Sequence, residues 1–402
     1  MDSKTALKDH RQIGKELDLF SFHDVAPGAV FWHPKGWVIY KTLQEYVRKI
    51  TEDEGYKEIN TPVMVKNTLF KQSGHWEHFG EQNMFNLELE KETYSLKPMN
   101  CPESTLIYSS RTRSYQDLPI KFSDYGILHR RELSGVLGGL FRVRQFTIDD
   151  AHLYVQPDQI QEEIHKLILL VINFYKSLAF KPEFYFSTKP EKAMGDPKLW
   201  EKAEKDLEGA LKTAKVKYGI KEKDGAFYGP KIDIHIKDSQ DRDWQLATIQ
   251  LDFQIPEKMQ LEYADKDGTL KRPVMIHRAI FGSFERFIGI LTEHYQGAFP
   301  LWLSPVQVEI LPITDRQTKG AQDLVEKFKK ENIRVELDNR QETLQAKIRN
   351  ATLQKVPFMG IIGDREIANQ TISVRTREGK DLGPIEVSKF LQRVKEEIDK
   401  KI

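Results

Sequence analysis

The sequence predicts an α+β protein that combines long helices and an antiparallel strand pair with a compact α/β domain at its end. Apolar residues recur at helical spacing over residues 36–51 and 158–179. Two strand-like segments, 119–128 and 140–155, are separated by glycine-containing turns and predict an antiparallel pair. After residue 305, strand-like and helix-like segments alternate, as in an α/β domain.

The first clear element is the amphipathic helix over 36–51, in which Lys and Glu separate the apolar side chains. This pattern ends at Gly55. Residues 57–65 then have strand composition, with Pro62 as a break or an edge residue, and residues 94–100 are also strand-like. A helix that leads into a strand therefore opens the predicted fold.

Further helices and strands follow the predicted pair. Residues 158–179 form a second amphipathic helix, and residues 197–215 a third, with its apolar positions on one face. Strand-like segments then return at 231–237, 244–255 and 261–263. The pair Asp267-Gly268 predicts a turn.

Residues 299–305 mark the clearest change along the chain, because two prolines there bracket a short apolar stretch. We place a boundary at this point and expect domains over residues 1–303 and 304–402. Within the second domain, strands are predicted at 306–313, 333–338, 356–363 and 371–377, and helices at 316–331, 342–354 and 386–401.

Composition excludes several classes of protein. The 402 residues contain one cysteine, so no disulfide framework is possible, and a net charge of +1 excludes binding of nucleic acid by bulk charge. The longest apolar stretch, residues 167–172, is far shorter than a membrane span. We expect a cytoplasmic protein with no membrane partner, which meets any nucleic acid through local patches.

Charged and aromatic residues concentrate on the predicted hairpin. Alternation places Arg130 and Glu132 on one face of a strand, and Arg142, Arg144 and Phe146 on one face of its partner. Guanidinium groups bind phosphate, a carboxylate accepts from an exocyclic amine, and a ring stacks on a base. This face suits a nucleotide, and the alternative is a solvated face of weak surface ion pairs.

Two further clusters carry chemistry. Cys101, His152 and His277 would together make a three-ligand zinc site with an open position, although each alone could be an ordinary core or surface residue. Their spacing is too long for a local zinc motif, so ligation depends on the fold. Gly282 and Arg286 indicate a turn that enters a buried helix, where an arginine adds to backbone donors for phosphate. That pattern alone is weak evidence.

In chain order, these clusters resemble the signature motifs of class II aminoacyl-tRNA synthetases, and in detail those of the threonyl-tRNA synthetase family. The motifs are DHR (9–11), the helix and strand ending at Pro62, SGHW (73–76), KPMNCP (97–102), RVR (142–144), DDAH (149–152), GAFYGPK (225–231), QLDF (250–253) and VMIHR (274–278). The resemblance spans nearly the whole chain.

This resemblance implies a catalytic domain with an antiparallel sheet flanked by helices, a homodimer built partly on the Pro62 region, and a C-terminal anticodon-binding domain. The implied activity is ATP-dependent activation of L-threonine, with Mg²⁺ bound to ATP, and transfer to the 3′ end of tRNA(Thr). Most family members carry an editing region upstream of the segment that begins near Asp9. We therefore expect that this chain alone does not clear serine mischarged onto tRNA.

The resemblance implies ATP-binding roles for Arg130, Glu132, Arg142, Phe146, Gln250 and Arg286. Arg130 would hold the α-phosphate and the threonine carboxylate, and Glu132 the adenine amine. Phe146 and Arg286 would enclose the adenine ring, and Arg142 would bind the distal phosphates. Arg130 and Arg286 are thus implied catalytic residues, together with His75, which lies beside the terminal ribose of tRNA in the family and would assist transfer.

The implied threonine-binding residues are Met99, Arg130, Asp150, Tyr228 and Lys231. Cys101, His152 and His277 are the implied ligands of one Zn²⁺ per subunit, which leaves the amino and hydroxyl groups of threonine to complete the coordination. Valine is nearly isosteric with threonine, and only a site that must bond the hydroxyl rejects valine strongly. Asp150 would accept the hydrogen bond of that hydroxyl.

In the C-terminal domain, Arg349, Glu366 and Arg375 are the candidates for anticodon contact, with exposed surface charge as the alternative. Departures from the common family pattern are Glu103 and Ser104, where Gly or Asn and then His are usual, Arg131, where Tyr or Asn is common, and Ile148, where many members carry Gln.

The rival interpretations are a class II synthetase for proline or serine, an adenylate-forming paralogue that charges a carrier, and a catalytically silent RNA-binding relative. The metal-ligand trio favours the threonyl family over the first two, and the retained Arg130 and Arg286 argue against the third.

Overall fold

The computed structural model describes residues 7–401, with the side chains of residues 78, 79 and 81 left aside. The first six residues of the predicted domain 1–303, and residue 402 of the predicted domain 304–402, lie outside this range. The α-helices of the described chain are α1 (His10–Glu16), α2 (Pro34–Asp53), α3 (Thr68–Gln72), α4 (His75–Phe79), α5 (Cys101–Ser109), α6 (Ile160–Ser177), α7 (Pro197–Thr213), α8 (Gln254–Lys258), α9 (Phe284–His294), α10 (Thr318–Lys330), α11 (Leu344–Leu353), α12 (Asp364–Asn369) and α13 (Val387–Asp399).

The strands vary from two to eleven residues in length. They are β1 (Phe20–Ser21), β2 (Phe31–Trp32), β3 (Lys57–Glu58), β4 (Met64–Lys66), β5 (Phe85–Leu89), β6 (Glu92–Leu96), β7 (Ile120–Asp124), β8 (Ile127–His129), β9 (Gln145–Val155), β10 (Glu183–Ser187), β11 (Tyr218–Lys221), β12 (Lys231–Lys237), β13 (Asp243–Asp252), β14 (Tyr263–Ala264), β15 (Leu270–Lys271), β16 (Val274–Ser283), β17 (Val308–Pro312), β18 (Val335–Leu337), β19 (Phe358–Ile362), β20 (Thr371–Thr376) and β21 (Asp381–Glu386).

The largest sheet has nine strands. Eight of them run in the order β11, β10, β12, β13, β16, β9, β7, β3, and β8 pairs with β9 as well. The pairs β10–β11 and β3–β7 are parallel, and the others are antiparallel. The expected α+β class with an antiparallel sheet flanked by helices is therefore confirmed.

The three predicted amphipathic helices are present as α2, α6 and α7, with ends shifted by a few residues. On α6 the buried residues recur at helical spacing, acids occupy the first turn and Lys176 the last, which complements the helix dipole. The helix packs against β13 and β16, and the Tyr175 hydroxyl donates to the Ile280 carbonyl at 2.8 Å. Helix α6 thus covers the central strands of the sheet.

The predicted antiparallel pair is also present, since β7 and β8 both run antiparallel to β9. However, β8 ends at His129 and β9 begins at Gln145. The expectation that Arg130, Arg142 and Arg144 lie on strands is therefore wrong. The intervening residues form turns instead, including one closed by the Gly138 N–H, which donates to the Arg142 carbonyl at 3.2 Å.

Two other predicted strands are shorter than expected. Residues 57–65 hold β3 and the start of β4, which are separated around Pro62. The expected strand 244–255 ends at Asp252, because the Asp252 carboxylate accepts from the backbone N–H groups of Gln254 and Ile255 and so begins α8. The predicted turn at Asp267-Gly268 joins β14 to β15, and Gly268 has φ +79°.

The C-terminal part contains a five-stranded sheet in the order β18, β17, β19, β20, β21. The first two pairings are parallel and the last two antiparallel. All the strands and helices predicted here are present. Helix α12, with six residues, and strand β21, which contains Gly383-Pro384, were not predicted because neither shows a clear periodic pattern.

The chain forms two compact units. Of the described residues, one unit contains 22–30 and 46–289, and the other contains 7–21, 31–45 and 290–401. Within the second unit, the Gln354 side chain joins both N-terminal segments: its Nε2 donates to the Glu16 carbonyl at 3.2 Å, and its Oε1 accepts from Lys35 Nζ at 3.0 Å. A functional boundary at residues 303/304 stays a prediction. No helix of the described residues is both long and apolar enough to cross a membrane.

Candidate active site

One row of directly opposed residues crosses the centre of the large sheet. Lys231 on β12 lies opposite Gln250 on β13, Gln250 opposite His277 on β16, and His277 opposite His152 on β9. Because directly opposed residues point to the same face, strand register alone brings these four side chains together. The two imidazole centroids are 5.1 Å apart.

Cys101 reaches this row from α5, where it is the first residue of the helix. Its Sγ and one ring nitrogen each of His152 and His277 lie within 4.8 Å of one another, and all three side chains are buried. We call this cluster the three-ligand pocket. One thiol and two imidazoles are three protein donors, the number found in a catalytic zinc site.

The imidazoles of the pocket lack the partners that buried polar groups normally have. Within residues 7–401, neither ring nitrogen of His152 has a hydrogen-bond partner, and neither has Nδ1 of His277. His277 Nε2 instead contacts Asp252 Oδ2 at 2.9 Å. An aspartate that holds the outer nitrogen and leaves the inner one free is the arrangement that orients a metal-binding histidine, so these residues fit a zinc ion.

The electrostatic environment of the pocket also favours a cation. Burial raises the pKa of the Cys101 thiol well above its usual value, and the nearby carboxylates of Asp150 and Asp252 raise it further. Burial lowers the pKa of His152, so its imidazole is neutral at pH 7. Neutral imidazoles present lone pairs, and a metal ion would convert the thiol to a thiolate ligand.

The residues implied in threonine binding surround this pocket. Burial raises the pKa of Asp150 to about 6, and its carboxylate accepts from Asn100 Nδ2 at 3.2 Å. The Tyr228 hydroxyl donates to Gln250 Oε1, and the Tyr228 ring lies 5.0 Å from the His277 ring. Lys231 pairs with Asp233 at 2.8 Å. Met99 is partly buried and packs against the apolar cluster that contains Cys101.

His75 is fully buried at the start of α4. Its Nδ1 lies 2.8 Å from the Ser73 hydroxyl, and its ring meets the Phe227 ring edge-on at 6.0 Å. After burial and the charges of His277 and Arg278, the charge of His75 also lowers the pKa of His152, so His75 lies near the three-ligand pocket.

A second site, which we call the arginine cavity, has a volume of about 390 Å³. Its lining residues are Arg130, Glu132, Phe141, Arg142, Val143, Phe146, Ile148, Gln245, Leu246, Phe281, Gly282, Ser283 and Arg286. Five of the six implied ATP-binding residues are therefore brought together. The cavity wall carries three guanidinium groups and one carboxylate, which suits an anionic ligand.

Some of the charged side chains of the cavity already contact other side chains of the protein. Arg142 Nε donates to Glu132 Oε2 at 3.0 Å, and the Arg130 guanidinium lies 5.2 Å from the Phe146 ring centroid. Burial lowers the pKa of Arg130 and of Arg286, and the nearby Arg142 lowers that of Arg286 further. Arg144 is not part of the lining: its Nε donates to the Glu132 carbonyl at 2.9 Å and so holds the loop.

Gln250, the sixth implied ATP-binding residue, does not line this cavity and instead lies in the row with His277. Gln245 lines it, and sequence reasoning missed this residue. The pairing of β12 with β13 is irregular, because Ala247 lies opposite Ile234 whereas Gln245 lies opposite His235. This bulge turns Gln245 onto the face that carries Lys231, and no local sequence signal marks it.

Two buried carboxylates hold the back of the arginine cavity, and no local sequence pattern predicts this role for either of them. Asp149 accepts from the backbone N–H groups of Ile280 at 2.7 Å and Gly282 at 2.8 Å. Glu285 accepts from the Thr147 N–H at 3.1 Å and from the Ser283 hydroxyl at 3.1 Å. These contacts fix the turn that leads from β16 into α9.

The departures from the family pattern lie near the two sites. Glu103 is buried, and burial raises the pKa of its carboxyl to about 8. Ser104 is buried against the Tyr154 hydroxyl. Ile148 lines the arginine cavity, whereas Arg131 is exposed.

The three candidates for anticodon contact lie on or beside three different elements of the C-terminal domain. Arg349 is exposed on α11, and Arg375 lies partly buried on β20. Glu366 accepts from the Gly363 N–H at 3.0 Å and from the Ser373 hydroxyl at 2.9 Å, so it caps α12. Across the described chain, no hydrogen bond or ion pair links these three residues to one another.

Comparison with protein families gives two matches. Residues 85–295 match the tRNA synthetase class II core domain (G, H, P, S and T), and residues 307–397 match the anticodon binding domain. Together they cover most of the chain.

Curated relatives agree with these matches. The chain is 51% identical over 391 residues to the threonine–tRNA ligase of Caldanaerobacter subterraneus subsp. tengcongensis, with 97% of this chain and 61% of that protein covered. It is 51% identical over 395 residues to the threonine–tRNA ligase of Clostridium kluyveri, with 98% and 62% covered. The chain thus spans about three fifths of the length of the curated relatives that it matches.

Solved structures give the same result. The RNA-binding domain of threonyl-tRNA synthetase from Cryptosporidium parvum superposes with a TM-score of 0.94 at 36% identity, with 97% of this chain and 98% of that chain covered. A threonyl-tRNA synthetase structure from Aeropyrum pernix gives a TM-score of 0.84 at 25% identity, with 98% and 97% covered. A prolyl-tRNA synthetase from Cryptosporidium parvum, at 17% identity and a TM-score of 0.75, shares the fold.

Proposed function

Because the chain belongs to the class II tRNA synthetases, we propose that it is a threonine–tRNA ligase, which activates L-threonine with ATP and transfers it to the 3′ end of tRNA(Thr). The observation that carries this proposal is the buried cluster of Cys101, His152 and His277 beside the arginine cavity. A synthetase for an amino acid whose side chain offers a metal no donor atom, such as proline, has no use for such a cluster. Relatives named threonine–tRNA ligase support the same choice.

The three-ligand pocket would hold one Zn²⁺ per subunit. Bound there, the ion would act as a Lewis acid toward the amino and hydroxyl groups of threonine. Asp252 keeps His277 oriented, through the contact of 2.9 Å to its outer nitrogen. Valine lacks the hydroxyl, and a site whose buried polar groups are left unpaired rejects such an analogue by about 10⁴-fold or more.

The remaining residues of the amino-acid site bind and orient threonine. The Asp150 carboxylate, which accepts from Asn100 Nδ2 at 3.2 Å, accepts a further hydrogen bond from the threonine hydroxyl. Tyr228 and Lys231 bound the pocket from β12 and the loop before it, and Met99 supplies apolar contact to the methyl group. Arg130 binds the threonine carboxylate, since it lies between this pocket and the arginine cavity and interacts with both Asp150 and Glu132.

The arginine cavity would bind ATP as its Mg²⁺ complex. Arg130 neutralises the α-phosphate and Arg142 the distal phosphates. Glu132 accepts from the adenine amine, while Phe146 and Arg286 enclose the ring. Gln250, which lies opposite His277 and outside the cavity lining, is the sixth residue for which the family resemblance implies ATP contact.

Activation requires no protein nucleophile. An oxygen of the threonine carboxylate attacks the α-phosphorus, the bond from that phosphorus to the bridging oxygen breaks, and pyrophosphate leaves. Arg130 contacts both reacting groups, so it holds them in line and stabilises the charge that develops between them. A ribose hydroxyl of tRNA then attacks the carbonyl carbon, and AMP leaves. His75 lies beside that ribose and assists the transfer.

The C-terminal domain would contact the anticodon through Arg349, Glu366 and Arg375. Two of these residues remain free for this purpose, whereas Glu366 already caps α12. We also propose a homodimer. The small sheet of β4, β6 and β5 follows Pro62 and exposes Met64, Leu87 and Leu89 to about half of their surface, which is typical of a protein interface.

Aminoacylation tests the proposal directly. A tRNA(Thr) transcript, radiolabelled threonine, ATP and the zinc-loaded protein should give threonyl-tRNA, and a tRNA(Pro) transcript with proline is the matched control. Threonine should be attached to tRNA(Thr) and proline to neither transcript. Attachment of proline or serine to its own tRNA, with none of threonine, would assign the chain to another class II activity.

A further inference from the structure

A cluster of aromatic rings and guanidinium groups at the arginine cavity leads to Arg286. The Arg286 guanidinium carbon lies 5.4 Å from the centroid of the Trp244 ring, within cation–π range. The guanidinium of Arg242 lies 5.2 Å from the same ring, and the Phe141 ring packs against Trp244 with a tilt of 51° and a centroid distance of 4.7 Å. Trp244 itself does not line the cavity.

The Trp244 ring is fixed by a buried carboxylate. Its Nε1–H donates to Asp238 Oδ2 at 2.8 Å, and the Asp238 carboxylate also accepts from Arg242 Nε at 2.7 Å and from the Gln240 N–H at 2.8 Å. These donors lower the pKa of Asp238 despite its burial. The turn between β12 and β13 therefore determines where the indole ring lies.

Arg286 has little else to hold its head group. Among residues 7–401, no carboxylate lies within ion-pair distance of it, and its Nε has no hydrogen-bond partner. Burial and the positive charge of the nearby Arg142 both lower the pKa of the Arg286 guanidinium. An arginine side chain has several rotatable bonds, so a head group without a partner loses much conformational entropy when a ligand binds.

We propose that Trp244 is a positioning residue that holds the Arg286 guanidinium against its ring, so that the other face of the guanidinium is ready for the adenine of ATP. Asp238 contributes indirectly, because its carboxylate accepts the Trp244 Nε1–H hydrogen bond and so fixes the orientation of the indole ring. This inference rests on the proposed use of the arginine cavity for ATP. It adds a contact behind the cavity wall that neither substrate touches.

The test compares Trp244→Leu, which removes the ring, with Trp244→Phe, which keeps an aromatic face but loses the N–H donor. ATP–pyrophosphate exchange is measured against ATP and against threonine, and binding of a non-hydrolysable ATP analogue is measured by calorimetry. Trp244→Leu should raise the KM for ATP and the Kd of the analogue about tenfold, with the KM for threonine changed less than about twofold. Trp244→Phe should restore most of the loss.

Trp37→Leu is the matched control, because Trp37 is also partly exposed and stacked, on Tyr40, but lies in the other compact unit. It should change neither constant. If Trp244→Leu does not fold, Trp244→Met takes its place with the same expectation. An unchanged Kd for the analogue, or equal changes for ATP and threonine, overturns the positioning role. Absence of threonine-dependent exchange in the wild type instead contradicts the proposed function, and the analogue Kd still decides the role of Trp244.

Discussion

The three-ligand pocket and the arginine cavity are neighbours on one sheet, yet they are built in opposite ways. The pocket is buried, contains polar atoms without partners, and lies among carboxylates. The cavity is open, holds about 390 Å³, and carries three guanidinium groups against one carboxylate. The first arrangement calls for a cation and the second for an anion. An enzyme that must select a hydroxyl amino acid and also bind a triphosphate needs both.

The two sites also differ in what positions them. In the pocket, His152 and His277 lie directly opposite each other on adjacent strands, so the register of the sheet sets their distance. In the cavity, Arg130 and Arg142 lie on turns, and Arg286 lies in the first turn of α9. We therefore expect substitutions around the pocket to change metal affinity, and substitutions around the cavity to weaken ATP binding while the metal affinity stays unchanged.

The largest effect should come from Cys101→Ser, because a serine hydroxyl is a poor zinc ligand at neutral pH. We expect the zinc content to fall from one per chain to under about one tenth, and threonine-dependent exchange to fall about 10³-fold or more. Metal analysis and exchange on one preparation measure both. Ser109→Ala, on the same helix α5, is the control and should keep both. A Cys101→Ser protein with full zinc and full activity would contradict the ligand assignment.

Arg286→Gln should give the next effect, confined to the nucleotide. Loss of this guanidinium removes one wall of the adenine site, and we expect kcat/KM for ATP to fall about 10²-fold while the zinc content stays at one per chain. Arg131→Gln is the control, since Arg131 is in the same loop as Arg130 but exposed. If Arg286→Gln lost zinc as well, the two sites would not be separable as described.

Asp252→Asn should weaken metal binding without removing a ligand. Its carboxylate contacts His277 Nε2 at 2.9 Å, and loss of such a partner lowers metal affinity by about 10- to 100-fold. Zinc affinity is measured by competition with a chelator. The chain offers a matched control in Asp243→Asn, where Asp243 contacts His235 at 2.7 Å outside the pocket. Equal zinc affinities for the two variants would argue against the role of Asp252.

The smallest expected effect is the contribution of Glu285 to the pH dependence of folding stability. Burial raises the pKa of its carboxyl from 4.5 to about 7, so the folded state binds a proton more tightly than the unfolded state. The resulting stability is present below about pH 4.5 and is lost as the pH rises to about 7, with an upper limit of about 3 kcal/mol.

Glu285→Gln removes this dependence. Urea unfolding at pH 5 and pH 8 should show that the wild type loses more stability over this interval than the variant. Glu201→Gln, on the exposed side of α7, should behave like the wild type. Parallel pH profiles of the wild type and Glu285→Gln would show that this carboxylate does not titrate in the interval.

The sequence predicts the three-ligand pocket more completely than it predicts the arginine cavity. Cys101, His152 and His277 could be identified as a trio through the family motifs. The register of two regular strands brings the two histidines together, whereas Cys101 reaches them from the start of α5. For the arginine cavity, the sequence predicts most of the lining residues but not the backbone structure that carries them. Alternation suggested that Arg130, Arg142 and Arg144 lie on strands, whereas glycine-containing turns between β8 and β9 carry them.

Other parts of the cavity leave no local trace in the sequence. Gln245 reaches the cavity through a bulge, and Asp149 and Trp244 act on Ile280 and Arg286, which lie 131 and 42 positions away in the chain. Such contacts depend on tertiary packing, which periodicity does not report. In the fold, likewise, the long periodic helices were predicted well, and the short elements α12 and β21 were not.

The central claim is that the metal-ligand trio selects threonine by its hydroxyl group. The most direct test is amino-acid-dependent ATP–pyrophosphate exchange with threonine and with valine, on zinc-loaded protein and on protein stripped by a chelator. We expect threonine to exceed valine by about 10⁴-fold when zinc is present, and exchange with threonine to be lost on stripping and restored by zinc. Equal exchange with the two amino acids, or threonine exchange unaffected by removal of zinc, would contradict the account.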